Sequence, residues 1–230
     1  MLKKKFNKHE INKKIINNET PVILEVGAHY GEDSVKFLDY FPKAKLYCFE
    51  PDPRNIYIFK KYIKDKRINL FEVAVANHNC DEADFYQSYL ADYDSEKMFN
   101  KYHWISKEDY VGLKLNRSGA SSLKQNPLID CLDITKVRTI TLDSWLKEHN
   151  IECVDLLWID VQGAEADVIE GARNSLDKIR FIWIEYGELS YEDSMNRKET
   201  IRLLKSYFSV IRKYSKNSNK GDLLLRNKYL

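Results

Sequence analysis

Val22-Ile23-Leu24-Glu25-Val26-Gly27-Ala28-His29-Tyr30-Gly31-Glu32-Asp33-Ser34 decides the fold. Val22 to Val26 is a short apolar run, the pattern of a strand covered on both faces. Gly27 lets the chain turn through positive φ, and Gly31 allows the backbone to approach closely. Asp33 or Ser34 is placed to cap a following helix, whose apolar positions Val35, Leu38 and Phe41 fall on one side. A strand that feeds a glycine turn into a helix N-terminus makes a site for a nucleotide-like ligand.

The same alternation extends outward. Lys45 to Phe49 reads as a second strand, which closes on Glu50-Pro51-Asp52-Pro53. Arg54 to Lys64 has helical spacing through Ile56, Phe59, Tyr62 and Ile63, and Ile68 to Val75 forms a third strand running into Ala76. Residues 88–135 break the rhythm. They are polar and aromatic, with Tyr102, His103, Trp104 and Tyr110 but no long period, as in a functional cap. Regularity returns with strands at Val137–Leu142, Val154–Ile159 and Ile179–Ile184. Helices are expected over Gly163–Gly171 and Glu199–Tyr207, and a last strand pair, Phe208–Tyr214 and Asp222–Arg226, is joined by the turn at Asn217–Gly221. The pattern predicts one α/β domain over 1–230: a doubly wound, mostly parallel sheet with a C-terminal antiparallel hairpin strand.

Composition narrows the function. The 230 residues are 43% apolar and 31% charged, with a net charge of +2, so no polyanion-binding signature is present and nucleic acid is not expected as a partner. Residues 1–19 hold six lysines against two glutamates, which reads as a basic N-terminal helix, either solvated or a weak anion-contacting surface. Cys48, Cys80, Cys131 and Cys153 form no close pair, which points to free thiols and a reducing compartment, hence a cytoplasmic location. No run approaches the length of a membrane span.

The turn reads E-x-G-x-x-x-G through Glu25, Gly27 and Gly31, wider than a pyrophosphate cradle. Glu50 closes the second strand, where a carboxylate accepts the two ribose hydroxyls of NAD or S-adenosylmethionine alike. Glu25 suits a cationic amino-acid tail better than a diphosphate, and the chain leaves no room for a separate dehydrogenase substrate domain. S-adenosylmethionine is therefore the expected ligand, with a nicotinamide-dependent oxidoreductase as the alternative.

Several segments in order resemble the FkbM-type S-adenosylmethionine-dependent methyltransferases. These are Val22–Gly31, Phe49-Glu50-Pro51, Ser121-Ser122-Leu123, Thr141-Leu142-Asp143 and Asp155-Leu156-Leu157-Trp158-Ile159-Asp160-Val161-Gln162-Gly163-Ala164-Glu165. The last run is the specific part. The family pattern commonly has Lys where this chain has Trp158, and Glu where it has Gln162. The resemblance implies a Rossmann-like class I methyltransferase fold and O-methylation, often of sugar or glycan hydroxyls; a non-sugar small molecule is the other acceptor class. The cofactor residues expected are Glu25, Gly27, Ala28, His29, Gly31, Ser34, Glu50, Pro51, Ala76, Ser122 and Asp160.

Methyl transfer to a hydroxyl needs the acceptor proton removed, by a general base or by a metal-lowered pKa. Asp160, at the carboxyl end of a central strand, is the first candidate for base or metal ligand, and Glu185, ending the neighbouring strand, is the second. With Glu165 and Glu188 they form an acidic cluster that suits Mg²⁺ or Mn²⁺, or one base among hydrogen-bond acceptors. Glu165 equally suits helix N-terminal stabilisation. His29 is a further base candidate, or a loop residue bonded to backbone near the cofactor. His103 and Trp104 are placed to contact a sugar acceptor, Trp104 by stacking, or else to build a small core under the loop.

Overall fold

β1 (Val22–Val26) lies third in a seven-stranded sheet, beside its central strand, in a computed structural model, which describes residues 7–90, 100–187, 191–215 and 220–230. It pairs in parallel with β2 (Lys45–Phe49) on one side and β7 (Val154–Ile159) on the other. The sheet continues through β3 (Ile68–Phe71) beyond β2, and through β8 (Ile179–Tyr186), β10 (Gly221–Asn227) and β9 (Phe208–Ser215) beyond β7. β10 runs antiparallel to both its neighbours, as the final strand pair predicts. The turn expected at Asn217–Gly221 lies mostly outside the described residues.

Both faces of the parallel strands are covered, so β7 is buried at every position. Side chains alternate between two cores because successive strand residues point to opposite faces. One core gathers Leu157, Ile159 and Trp145, the last from α4 (Leu142–Glu148); α5 (Glu165–Glu170) adds Val168. The other gathers Phe37, Trp158 and Trp183 under α2 (Glu32–Tyr40). α1 (Lys8–Ile16) docks on α2 through His9, which is 2% exposed and stacks 5.5 Å from Trp158. The ring column continues through Trp183 (4.9 Å) to Tyr214 (5.0 Å). α1 is thus packed and not a solvated tail.

Two local expectations need correction. Gly31, at φ 85°, begins α2 with no side-chain cap, because Asp33 is taken by Lys8, Lys36 and His9 and Ser34 turns inward to Glu25. Val35 is 39% exposed; Ser34, Phe37 and Leu38 are the buried face. The single strand expected over Ile68–Val75 is two: β3 stays in the large sheet, whereas β4 (Ala74–Val75) joins β6 (Cys131–Ile140) and β5 (Cys80–Ser88) in a small second sheet. β5 and β6 pair antiparallel and bracket the aperiodic segment. Arg54, 8% exposed, fastens this part to the start of α3 (Pro53–Tyr62). It binds Asp52 at 2.7 Å and donates to Ser88 O, Lys114 O and Ser121 Oγ.

Candidate active site

The carboxyl ends of β1, β2 and β7 meet the small sheet and the turn Ser118–Ala120 around two adjoining cavities. An inner slot of about 60 Å³ is walled by Phe49, Val73–Val75, Phe85 and Leu123 and ends at Glu50. An outer cleft of about 670 Å³ runs from the glycine turn toward Lys8, Tyr102 and Arg117. Gly27, His29, Ser118, Gly119, Asp160 and Gln162 line both.

The glycine turn explains this arrangement. Gly27 has φ 88°, and a Cβ there would stand 1.9 Å from the carbonyl oxygen of Asp160. Only glycine lets β1 and β7 end side by side, with Asp160 N–H donating to Val26 O at 3.0 Å. His29 follows at φ 54°, and its backbone N–H donates to Glu50 Oε2 at 2.8 Å. Glu50 Oε1 accepts from Asp52 N (2.9 Å) and Asn55 Nδ2 (3.1 Å). Burial, reinforced by the Asp52 charge, pushes Glu50 up to about 7. Glu25 is sealed beneath the turn; it accepts from Ser34 Oγ at 2.5 Å, and burial raises it to about 8.

His29 is the most connected group at the boundary. Its Nδ1 lies 3.0 Å from Glu32 Oε1, and a carboxylate only accepts, so Nδ1 carries the proton. Nε2 faces Ser118 Oγ at 3.2 Å, and the Tyr30 hydroxyl lies 2.6 Å from that oxygen. Burial opposes the charged imidazole, but Glu32 and Glu50 outweigh it and raise the His29 pKa. Glu32 is correspondingly lowered against its own burial by His29.

The expected site residues separate into two sets. Gly27, Ala28, His29, Glu25, Glu50, Pro51 and Asp160 line one cavity or both. Gly31, Ser34, Ala76 and Ser122 line neither. Gly31 packs under Phe59, Ser34 is spent on Glu25, Ala76 N–H is bonded to Ile140 O, and Ser122 bridges Tyr86 while its neighbours Ser121 and Leu123 form the wall. Glu165 also lies outside both cavities. Both its carboxylate oxygens accept the Gly163 N–H at 3.1 Å, and burial raises it to about 7. His103 is exposed against Asn100 O, and Trp104 packs on Tyr62 (5.7 Å) and Tyr30 (6.4 Å) in a satellite core, so neither faces the cleft. The aperiodic segment supplies Lys101, Tyr102, Leu115 and Arg117 to the cleft instead. Asp155, the first acid of the specific run, is structural: it accepts from Val22 N and Asn18 and pairs with Arg180.

The donor set does not fit a divalent cation. Gln162 Nε2 donates to Asp160 Oδ1 (2.5 Å) and Glu185 Oε2 (3.2 Å), and Lys220 stands 3.6 Å from Glu185. An amide donor and an ammonium hold these carboxylates. Among the described residues no group of three or more His, Cys, Asp or Glu is placed to hold a metal; Glu188 lies outside them.

Residues 25–219 match the family described as the methyltransferase FkbM domain. The chain belongs to the FkbM methyltransferase family. This FkbM-family chain is 35% identical over 215 residues to the 2-O-methyltransferase NoeI of Sinorhizobium fredii (strain NBRC 101917 / NGR234), covering 93% of this chain and 82% of that protein. In fold it resembles the crystal structure of the methyltransferase FkbM from Methylobacillus flagellatus KT. The TM-score is 0.52 at 12% identity, over 90% of this chain and 44% of that one, so it spans less than half of that protein's length. The chain is thus a methyltransferase, which sets aside the nicotinamide reading, and S-adenosylmethionine is the donor its sequence implies.

The residues present suit that donor. Asn55, 2% exposed, lines the inner slot, and its buried Oδ1 has no hydrogen-bond partner among the described residues. Buried acceptors are rarely left so, and a ribose hydroxyl beside Glu50 would satisfy it. Sequence reading missed Asn55 because nothing in a helical Asn marks it as buried. The small sheet closes the slot on a core of Ala74, Phe85 and Val137, with Ala83 and Leu123 against them among the described residues.

Proposed function

We propose that the chain methylates a hydroxyl of a sugar, with the donor's nucleoside in the inner slot and the acceptor in the outer cleft. One observation carries this reading: among the described residues, His29 and Asp160 are the titratable side chains that line both cavities. Both stand where slot and cleft join, the place at which a donor held in one would meet an acceptor held in the other. When bound, S-adenosylmethionine supplies a sulfonium methyl open to in-line displacement by oxygen.

Each residue then has a physical task. Glu50 and Asn55 Oδ1 accept from the ribose hydroxyls. Asp160 presents a carboxylate to the donor's cationic end. Glu32 holds His29 Nδ1–H, so Nε2 is the basic nitrogen and takes the acceptor's proton as its oxygen attacks. Burial opposes the imidazolium, but Glu32 and Glu50 raise the His29 pKa from 6.5, whereas Asp160 Oδ1 is already held by the Gln162 amide, which favours His29 as the base. Glu185 serves the reaction only through Gln162, as a support for Asp160.

A sugar acceptor is supported by the character of the cleft, which offers hydroxyl, ammonium and guanidinium donors beside the rings of Tyr30 and Tyr102. It also agrees with the 2-O-methyltransferase relative. A reducing, cytoplasmic location is supported by four unpaired cysteines; no described helix is long and apolar enough to cross a membrane.

The test is transfer from labelled S-adenosylmethionine across a sugar panel. We expect His29→Gln to lower kcat by about 10²–10⁴-fold, with donor affinity retained. Near-normal turnover in His29→Gln, with Asp160→Asn inactive but still donor-bound, would move the base to Asp160. Transfer to no sugar would remove the acceptor class.

A further inference from the structure

The outer cleft is more cationic than a neutral sugar requires. Lys8, Lys36, Lys101, Arg117 and Lys220 line it, against Glu25, Glu32, Asp33 and Asp160. The carboxylates are largely committed. Glu25 is sealed onto Ser34 and Cys48, and its raised pKa keeps it mostly protonated at neutral pH. Glu32 and Asp160 keep their charge, because the imidazole and the Gln162 amide they bond are neutral, and they offset Arg117 and the donor's sulfonium. Lys8 and Lys36 share the single carboxylate of Asp33, at 2.7 and 2.8 Å, which leaves one positive charge over. Burial holds the third partner of Asp33, His9, toward its neutral form.

Lys101 adds a second. Its ammonium rests on Tyr102, 2.8 Å from the hydroxyl and 4.6 Å from the ring centre, and among the described residues no ion pair to a carboxylate is found for it. It is close enough to His29 for its charge to oppose protonation of the imidazole. The cofactor does not neutralise the excess. Its carboxylate is matched by its own ammonium, and its sulfonium by Asp160, so the surplus of the lysines stays. A partly desolvated cleft with surplus cations next to the proposed base selects an anion.

We propose that the acceptor carries an oxyanion close to the hydroxyl that is methylated, a phosphate or a carboxylate on the sugar, and that Lys101 with the Lys8–Lys36 pair receives it. This rests on the sugar-methylation reading above. Phosphate and carboxylate share the recognition chemistry. A doubly charged phosphate matches both surplus cations and is the tighter ligand.

Two measurements test it. The first is binding of inorganic phosphate and of acetate to protein loaded with S-adenosylhomocysteine, which keeps the cofactor's own carboxylate in place. Phosphate should bind more tightly than acetate, and Lys101→Gln and Lys8→Gln should each weaken it about tenfold, the order of one charge-assisted hydrogen bond. Absence of binding, or binding indifferent to both substitutions, overturns the proposal. The second is methyl transfer to matched acceptors: glucose, glucose 1-phosphate, glucose 6-phosphate and glucuronic acid. Preference for a charged member, lost at high salt, supports the proposal. Equal transfer to glucose overturns it and leaves the sugar reading standing. Transfer to none of the four counts against the sugar reading, and the phosphate-binding result then decides the anion site by itself.

Discussion

The two sheets that enclose the site hold it in different ways. The large sheet presents backbone: strand ends, a glycine that only a hydrogen atom fits, and amide hydrogens aimed at Glu50. It stands on two continuous cores. The small sheet and the segment it brackets present side chains, Phe85, Leu123, Lys101 and Arg117, on a core of few residues. A common donor can be held by a fixed frame, whereas acceptors differ, and a thinly packed wall changes its side chains at little cost to the fold.

Gly27→Ala should break the comparison most severely. The new Cβ meets the Asp160 backbone in a positive-φ turn, so we expect a loss of about 4 kcal/mol and no measurable donor binding, read by chemical denaturation and calorimetry. Phe85→Ala should cost about 3 kcal/mol and raise the donor Kd, yet leave kcat at saturating donor within a few-fold, because it loosens a wall without touching the base. Trp104→Ala should cost about 2 kcal/mol through the satellite core and leave acceptor KM unchanged; a raised KM would bring Trp104 into the cleft after all.

The mildest effect is graded with pH and belongs to the large sheet. Glu25, Glu50 and Glu165 are raised from 4.5 to about 8, 7 and 7, each chiefly by burial. A carboxyl with a raised folded-state pKa binds its proton more tightly when folded. The stability it contributes is therefore complete below about 4.5 and is lost as pH rises through 7 to 8. The melting temperature of the donor-free protein should fall by a few degrees between pH 6 and pH 9, numbers chosen to bracket those carboxyls. Glu50→Gln should remove the part of that fall near neutrality. A flat profile would mean that these carboxyls titrate in the folded state as they do in solution.

What was legible in the sequence follows the same division. Strand and helix alternation, Gly27, Glu50 and Asp160 are readable because a parallel sheet imposes apolar runs and a tight turn demands glycine. The small sheet is half hidden: Ile68 to Val75 looks like one strand because no glycine or proline interrupts it at Val73, where the chain changes sheets. The acceptor side was least legible. Trp104 suits a sugar platform or a small core equally, because aromatic composition does not say which way a ring faces, and it turns to Tyr30 and Tyr62 in the second of these. The sequence places Lys8 in a basic helix, solvated or anion-contacting, and cannot show that its ammonium lies 4.1 Å over Trp158 at the cleft wall, a contact made across 150 residues of chain.

The change of sheets at Val73 has a mechanical consequence. Phe71 is the last residue of one sheet and Ala74 the first of another, so only a short span of backbone couples them there. A ligand wedged between Phe49 and Glu50 on one side and Phe85 and Leu123 on the other acts as a rivet across that seam. Amides of β5 and β6 should then exchange with deuterium more slowly once the donor is bound, while those of β1 and β7, already at the centre of the large sheet, stay as they were.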